Sequence, residues 1–316
     1  MANVHRIGLA LREPLPWHDF VQVVLTAEEA GYETLFVPEI AGREAFSTLA
    51  GLAPATDHIL LGTGVVPAHV RRLETTAMAA ATVQELSSGR LILGVGSGPP
   101  GPGAIDRVRR HVAALRVGLS GAPSVPAGEF RVALDLGTPP PIWLAALGDR
   151  MIALAGEIAD GVLLNWCTAD RVARATELIR EGAARAGRAP GAVTVGIYAR
   201  ACIDPEEEVA LAALREPAGQ YASMPHYRRQ MEAMSLGAAA AEAAEATSRG
   251  RPEDVPEELV RALCIVGDAE EGHRRLRELR DAGADLPIVY PVPAREPVSS
   301  VMGTMLALAP TPVLQP

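Results

Sequence analysis

Short apolar runs alternate along the chain with longer segments whose apolar residues recur every three or four positions. "RIGLAL" (6–11) predicts a strand, and "WHDFVQVVLTAEEAG" (17–31) an amphipathic helix closed by glycine. "TLFVPE" (34–39) predicts a second strand, with a helix following over about 43–55. "HILLGTGVV" (58–66) predicts the third, with helix 72–89 behind it, and "RLILGVG" (90–96) the fourth, with helix 104–119. The rhythm resumes at "PIWLAAL" (141–147) with helix 149–159, at "DGVLLNW" (160–166) with helix 169–187, and at the seventh strand, 192–203. Residues 205–263 are polar and alanine-rich without a strand signal and predict a mostly helical insertion. Helix 270–283, an eighth strand at 286–292 and a closing helix at 298–309 complete the pattern.

Eight strands, each with a helix behind it, predict a TIM (β/α)8 barrel in a single domain over residues 1–316. The strands are apolar throughout instead of alternating, as a parallel sheet covered by helices requires. A doubly wound open sheet is the alternative, because periodicity does not report closure.

Composition narrows the function classes. A net charge of -9 and the lack of a dense basic run argue against nucleic acid as a partner. All 29 basic residues are arginine, which excludes lysine Schiff-base chemistry. Cys167, Cys202 and Cys264 are widely spaced, and their odd number suits a reducing cytoplasm better than a disulfide scaffold. The seven histidines form no HExxH or similar spacing, so no metal site is expected. Residues 1–17 lack the apolar core of a signal peptide, and no run is long and uncharged enough to span a membrane. A cytoplasmic protein without a membrane partner is expected.

The stretch "SGRLILGVGSGPPGPG" (88–103) carries Gly96, Gly98 and Gly101 at the spacing of a dinucleotide-binding turn. Pro99 and Pro100 stand where such a turn needs backbone N–H donors, and the run is the fourth strand instead of the first. In a barrel the same glycines lie at a strand's carboxyl end, where ligands bind. Gly62 and Gly64 end the third strand and Gly148 follows the fifth, so three successive strands present glycine at one rim.

"AEEAGYETLFVPE" (27–39), "LGTGVV" (61–66), "ATVQELSSGRLILGVGSG" (81–98) and "PPIWLAALGDRMIALAGEIADGVLLN" (140–165) together resemble the luciferase-like flavin and deazaflavin oxidoreductases. The last stretch looks most like the branch that uses coenzyme F420, the methylenetetrahydromethanopterin reductases and their relatives. The likeness covers most of residues 4–190 and again about 264–291; region 99–140 is short for the family, and 205–263 is unlike it.

The resemblance implies a ring system held at the end of the third strand, beside a non-prolyl cis peptide whose counterpart here is Gly64–Val65. It places Gly62, Gly64 and Val65 behind the ring, and Gly96, Ser97 and Gly98 along the ribityl chain. Ala145, Ala146, Leu147 and Gly148 then approach the phosphate. The implied cofactor is F420, with FMN in a luciferase-type monooxygenase as the alternative and a non-catalytic flavin-binding barrel as a third reading. The expected reaction is hydride transfer to an activated C=C or C=N bond of a small molecule or peptide, by a homodimer. Many relatives follow the acidic residue of the second strand with histidine, but here Glu39 precedes Ile40. Gln84 stands for the usual aspartate, and Leu73 for a proline.

A proton must accompany the hydride. Glu39, at a strand's carboxyl end, is the first candidate, with a structural carboxylate as the competing role; His69 is the second, or a solvated loop histidine. Trp17, His18 and Trp166 are candidate pocket walls, with a helix staple as the alternative for Trp17. Cys167 fits a small apolar filler better than a nucleophile. Arg71, Arg72, Arg107 and Arg110 form a candidate basic rim for the acidic F420 tail, or a solvated helix face.

Overall fold

The computed structural model describes residues 6–12, 14–98, 101–120 and 130–310. Its strands are β1 (Gly8–Ala10), β2 (Thr34–Val37), β3 (Leu60–Thr63), β4 (Val66–Pro67) and β5 (Leu91–Gly96). β6 (Ile142–Ala145), β7 (Gly161–Asn165), β8 (Thr194–Ile203), β9 (Ile265–Gly267) and β10 (Leu286–Pro291) follow. Every pairing is parallel, and β10 bonds both β1 (Leu9 to Val289) and β8 (Ile288 to Tyr198). That double pairing closes β1, β2, β3, β5, β6, β7, β8 and β10 into a ring, which decides for the barrel over the open sheet.

Two expectations change in detail. The third strand is not continuous: it breaks at Gly64–Val65, and β4 resumes against β5 with Val66 opposite Val95. A short strand, β9, adds to the upper end of β8, Ala201 opposite Ile265, where only a helix was expected to follow the insertion. Three apolar residues are too short a run to be told from the end of a helix.

Three apolar clusters hold the fold. The largest lies between strands and helices, where the helix Trp17–Glu29 sends in Phe20, Val23, Val24 and Ala27, the i, i+3, i+4, i+7 face. Each such buried side chain contributes about 1.5–3 kcal/mol. The second fills the barrel with Phe36, Ile92, Trp143, Leu163, Tyr198 and Ile288. Glycine makes room for these rings: a Cβ on Gly62 would lie 2.5 Å from Phe36, and one on Gly161 would overlap the Trp143 indole. The third belongs to the insertion, whose helices are Glu207–Ala222, Pro225–Ala233, Gly237–Ser248 and Glu257–Leu263. It packs onto Trp166, Cys202 and Val266, so the insertion sits against the carboxyl ends of β7, β8 and β9.

Two of the stretches that carry the resemblance serve the opposite end of the barrel. Glu28, 7% exposed, accepts the backbone N–H groups of Asp57, His58 and Ile59 at 2.7–3.0 Å. Arg90 of "SSGR" donates to the carbonyls of Ala53, Thr56, Ile59 and Ser87 at 2.8–2.9 Å. Gln84 serves the aspartate position by accepting Leu91 N–H (3.0 Å) while donating to the Thr138 carbonyl (2.8 Å). Among the described residues, no helix is long and apolar enough to cross a membrane.

Candidate active site at the barrel mouth

Inward positions alternate along each strand. At the carboxyl ends, the phase that carries Ile92 inward continues to Gly94 and Gly96, and that of Trp143 to Ala145. The phase of Tyr198 continues to Arg200, that of Ile288 to Tyr290, and that of Leu163 to Asn165. The mouth therefore has two halves. Over β3–β6 it is floored by backbone and small side chains; over β7–β10 it is polar and aromatic.

The small half is shaped at Gly64–Val65, whose peptide bond is cis, as the resemblance implies. The Tyr198 hydroxyl donates to the Gly64 carbonyl (3.1 Å), and a Cβ on Gly64 would collide with that hydroxyl. A Cβ on Gly96 would lie 2.9 Å from Val65 Cγ2. Gly62, Gly64 and Gly96 are thus required first by the protein's own close packing, which leaves backbone as the floor. Val65 itself is part-buried against the cluster that fills the barrel. Gly98 has φ +73°, with the His69 ring 2.9–3.1 Å from where its Cβ would be. Ser97, part-buried, points its hydroxyl at the Gly98 carbonyl (3.4 Å). Pro99 and Pro100 lie outside the described residues.

Next to this floor, Ala145, Ala146, Leu147 and Gly148 lead into the helix Asp149–Ile158. Gly148 gives that helix no side-chain cap, and nothing stands within 4 Å of its Cβ position. First-turn N–H groups have no partner inside a helix, so this end is suited to an anion. Arg171, absent from the candidates drawn from sequence, fastens the loop by donating to the Leu147 carbonyl (2.8 Å) and to Asp149 (2.7 Å). These features fit a flat ring ending in a phosphate: a backbone floor, then an open, uncapped helix start.

Glu39 is engaged on both oxygens. Arg71 donates Nε to Oε1 (2.8 Å) and Nη2 to Oε2 (2.7 Å), and Ala45 N–H reaches Oε2 at 3.3 Å. Arg71 also bonds Glu44, the cap of the helix Ala45–Leu52, and stacks 5.1 Å from the Phe46 ring centroid. Its hydrogen bond to Glu39 raises the Arg71 guanidinium above its ordinary value. Burial alone would raise Glu44, but N–H groups of Ser47 and Phe46 and the charge of Arg71 hold it low. Arg71 is thus a clamp between two loops, not a free rim cation. Arg72 is 83% exposed on its side chain, Arg107 folds back onto the Pro102 carbonyl (2.7 Å), and Arg110 is exposed.

The remaining candidates divide. His69 is exposed beside Gly98. Trp17 stacks on Phe20 (6.0 Å), lies under Arg43 (5.5 Å) and abuts Gly51, so it joins two outer helices; His18 next to it is exposed. Trp166 is buried in the polar half, with φ +53°. Cys167 is buried, and burial pushes its thiol up to about 12, which suits the apolar-filler role.

The polar half was largely invisible from sequence. Arg200 Nη1 donates to Asn165 Oδ1 (2.6 Å), and Asn165 Nδ2 donates to the Tyr227 hydroxyl (2.8 Å). Burial first, then neighbouring Tyr221, pushes Tyr227 up to about 12, so it stays a neutral phenol. The insertion's Gln230 donates to the carbonyls of Asn165 (2.9 Å) and Trp166 (2.7 Å) and so ties the helix Pro225–Ala233 to the mouth. A charge inside the apolar run "IYARACI" was the one available signal. A groove of about 460 Å³ lined by Arg109, Arg116, Glu157, Asp160 and Arg188 lies elsewhere, in the helical outer layer.

The family model for luciferase-like monooxygenases matches residues 3–286. This chain belongs to the luciferase-like monooxygenase family. It is similar to the 5,10-methylenetetrahydromethanopterin reductase of Methanolobus tindarius, 32% identical over 203 residues, spanning 59% of this chain and 62% of that enzyme. The enzyme of the same name from Archaeoglobus fulgidus is 28% identical over 303 residues, spanning 88% of this chain and 91% of its own length. In fold, the chain matches a coenzyme F420-dependent tetrahydromethanopterin reductase from Methanopyrus kandleri with TM-score 0.81 at 23% identity. That match covers 96% of this chain and 97% of the other. An F420-dependent secondary alcohol dehydrogenase, solved with an F420–acetone adduct, matches with TM-score 0.75 at 18% identity over 96% and 97% of the two chains.

Proposed function

We propose that this family member is an F420-dependent oxidoreductase acting on an activated C=C or C=N bond of a small molecule or peptide. The observation that carries the reading is the two-part mouth: a backbone floor running into an uncapped helix start, opposite a polar and aromatic wall. The F420-dependent relatives and structural neighbours support the choice of cofactor. When bound, the reduced deazaflavin supplies a hydride from C5.

The chain's own residues bind and orient. Gly64 and Val65 back the ring, with Tyr198 holding the Gly64 carbonyl in place. Gly96, Ser97 and Gly98 line the ribityl chain. Leu147 and Gly148 offer backbone N–H groups to the phosphate, Ala146 N–H being taken up by the Leu163 carbonyl (3.3 Å), and Arg171 keeps their loop in register. Glu39, with both oxygens already bonded, positions Arg71 and the loop before Ala45, which leaves His69 as the side chain that delivers a proton to substrate at the rim. The assembly in this reading is a homodimer, to be tested by solution mass.

Titration of the purified protein with F420, reduced F420 and FMN separately tests the reading. F420 should bind clearly more tightly than FMN. Tight FMN binding without an F420 response would sink it.

A further inference from the structure

Arg200 is 5% exposed, yet it sits on the inward phase of β8 one step above Tyr198, at the level of the mouth. Its guanidinium carbon lies 4.2 Å from the Trp166 ring centroid, 4.8 Å from Tyr221 and 4.7 Å from Tyr290. Its Nη1 donates to the neutral Asn165 side chain, and no ion pair to Arg200 forms among the described residues. Two other arginines of this end differ: Arg71 faces Glu39 and Glu44, and Arg171 faces Asp149.

A cation withdrawn from water without an anion is disfavoured, and stacked rings offset only part of that cost. An inward position with a purely packing role would be served by an apolar residue, as Ile288 and Leu163 serve lower in the barrel. Beside Arg200, Trp166 Nε1 and Gln230 Oε1 are also buried without a hydrogen-bond partner among the described residues. Three ring centroids lie within 4.8 Å of the guanidinium carbon, and a carboxylate pairs with a guanidinium in its plane, along the N–H edge. One guanidinium supplies one positive charge, which matches a carboxylate monoanion and leaves a phosphate dianion half-neutralised.

We propose that Arg200 receives a carboxylate of the substrate, oriented by Asn165 and walled by Trp166 and Tyr221. The inference rests on the proposed function in taking the β7–β10 half of the mouth as the substrate side. It narrows the substrate class to small molecules or peptides that carry a free carboxylate near the reacting bond.

Calorimetric titration with cinnamate and with cinnamamide tests it, since the two differ only in the charged group. The acid should bind wild-type protein about tenfold more tightly or better. In Arg200→Gln that ratio should fall to about one, as the charge is gone. Asn165→Asp places an internal carboxylate against Nη1 and should abolish the preference too, while keeping the guanidinium and its packing. Equal affinities for wild type, no measurable binding of either probe, or a ratio that persists in Arg200→Gln overturns the proposal. Should that variant fail to fold, persistence in Asn165→Asp does the same. F420 titration of the wild type reports the cofactor separately: acid preference without F420 binding would retire the cofactor reading and leave the anion site standing.

Discussion

Arg71 changes the role open to Glu39. A carboxylate whose two oxygens both accept from a guanidinium is held in place and offers no oxygen to a substrate, which suits positioning and opposes proton donation. Glu39→Gln should therefore cost stability, roughly 1–2 kcal/mol from the weakened pair. The single-turnover rate per folded molecule should stay within about threefold; a fall of about 10²–10⁴ would instead mark Glu39 as the acid. At the other end, burial alone would raise Glu28, but the N–H groups of Ile59, His58 and Asp57 outweigh it and hold the carboxyl low. A depressed carboxyl contributes stability that is complete above its unfolded value and lost as pH falls through the folded one. Glu28→Gln should lower the melting temperature at neutral pH, and the gap to wild type should close as pH drops below about 4. A gap independent of pH would mean that shape, not charge, holds Asp57 to Ile59. Sequence spacing put Glu39 at a strand end and Glu28 in a helix but named no partner for either, because their partners lie about 30 residues away.

Among elements, the helices Asp149–Ile158 and Ala169–Arg185 cross with little between them. A Cβ on Gly156 would strike the Ile179 carbonyl, and one on Gly182 the Ala153 carbonyl. Gly182→Val should cost about 1–3 kcal/mol by overpacking. Because the first of these helices begins at the loop proposed to receive the phosphate, the same variant should also weaken F420 binding; intact affinity in a destabilised protein would uncouple the loop from the crossing. Element positions were well legible, since apolar spacing records locally whether a segment lies on a sheet or against one. The break within the third strand was not local: it follows from Thr63 Oγ1 bonding across to Gly94 N–H and carbonyl (both 2.8 Å) and from Tyr198 reaching Gly64. The family resemblance, not periodicity, had pointed to it.

For the whole molecule, the net charge of -9 opposes an acidic cofactor tail, so attraction must be local. With Arg71 committed to Glu39 and Glu44, the candidates of the basic rim that remain exposed are Arg72, 3.5 Å from Glu74, Arg107 and Arg110. F420 affinity should fall as salt is raised, and the paired substitution Arg72→Ala with Arg110→Ala should flatten that slope. Salt-independent binding would place the tail elsewhere.

The sequence by itself determined the order and kind of the elements, the all-parallel character of the sheet and the glycines that gather at one rim. Side-chain period, turn residues and short contiguous motifs encode all of these within a few residues. Closure was decided only when β10 bonded both β1 and β8. The same holds for the polar half of the mouth: Asn165, Arg200, Tyr221, Tyr227 and Tyr290 belong to segments far apart in the chain. A buried charge is defined by what surrounds it, and only the folded barrel with its insertion brings those surroundings together.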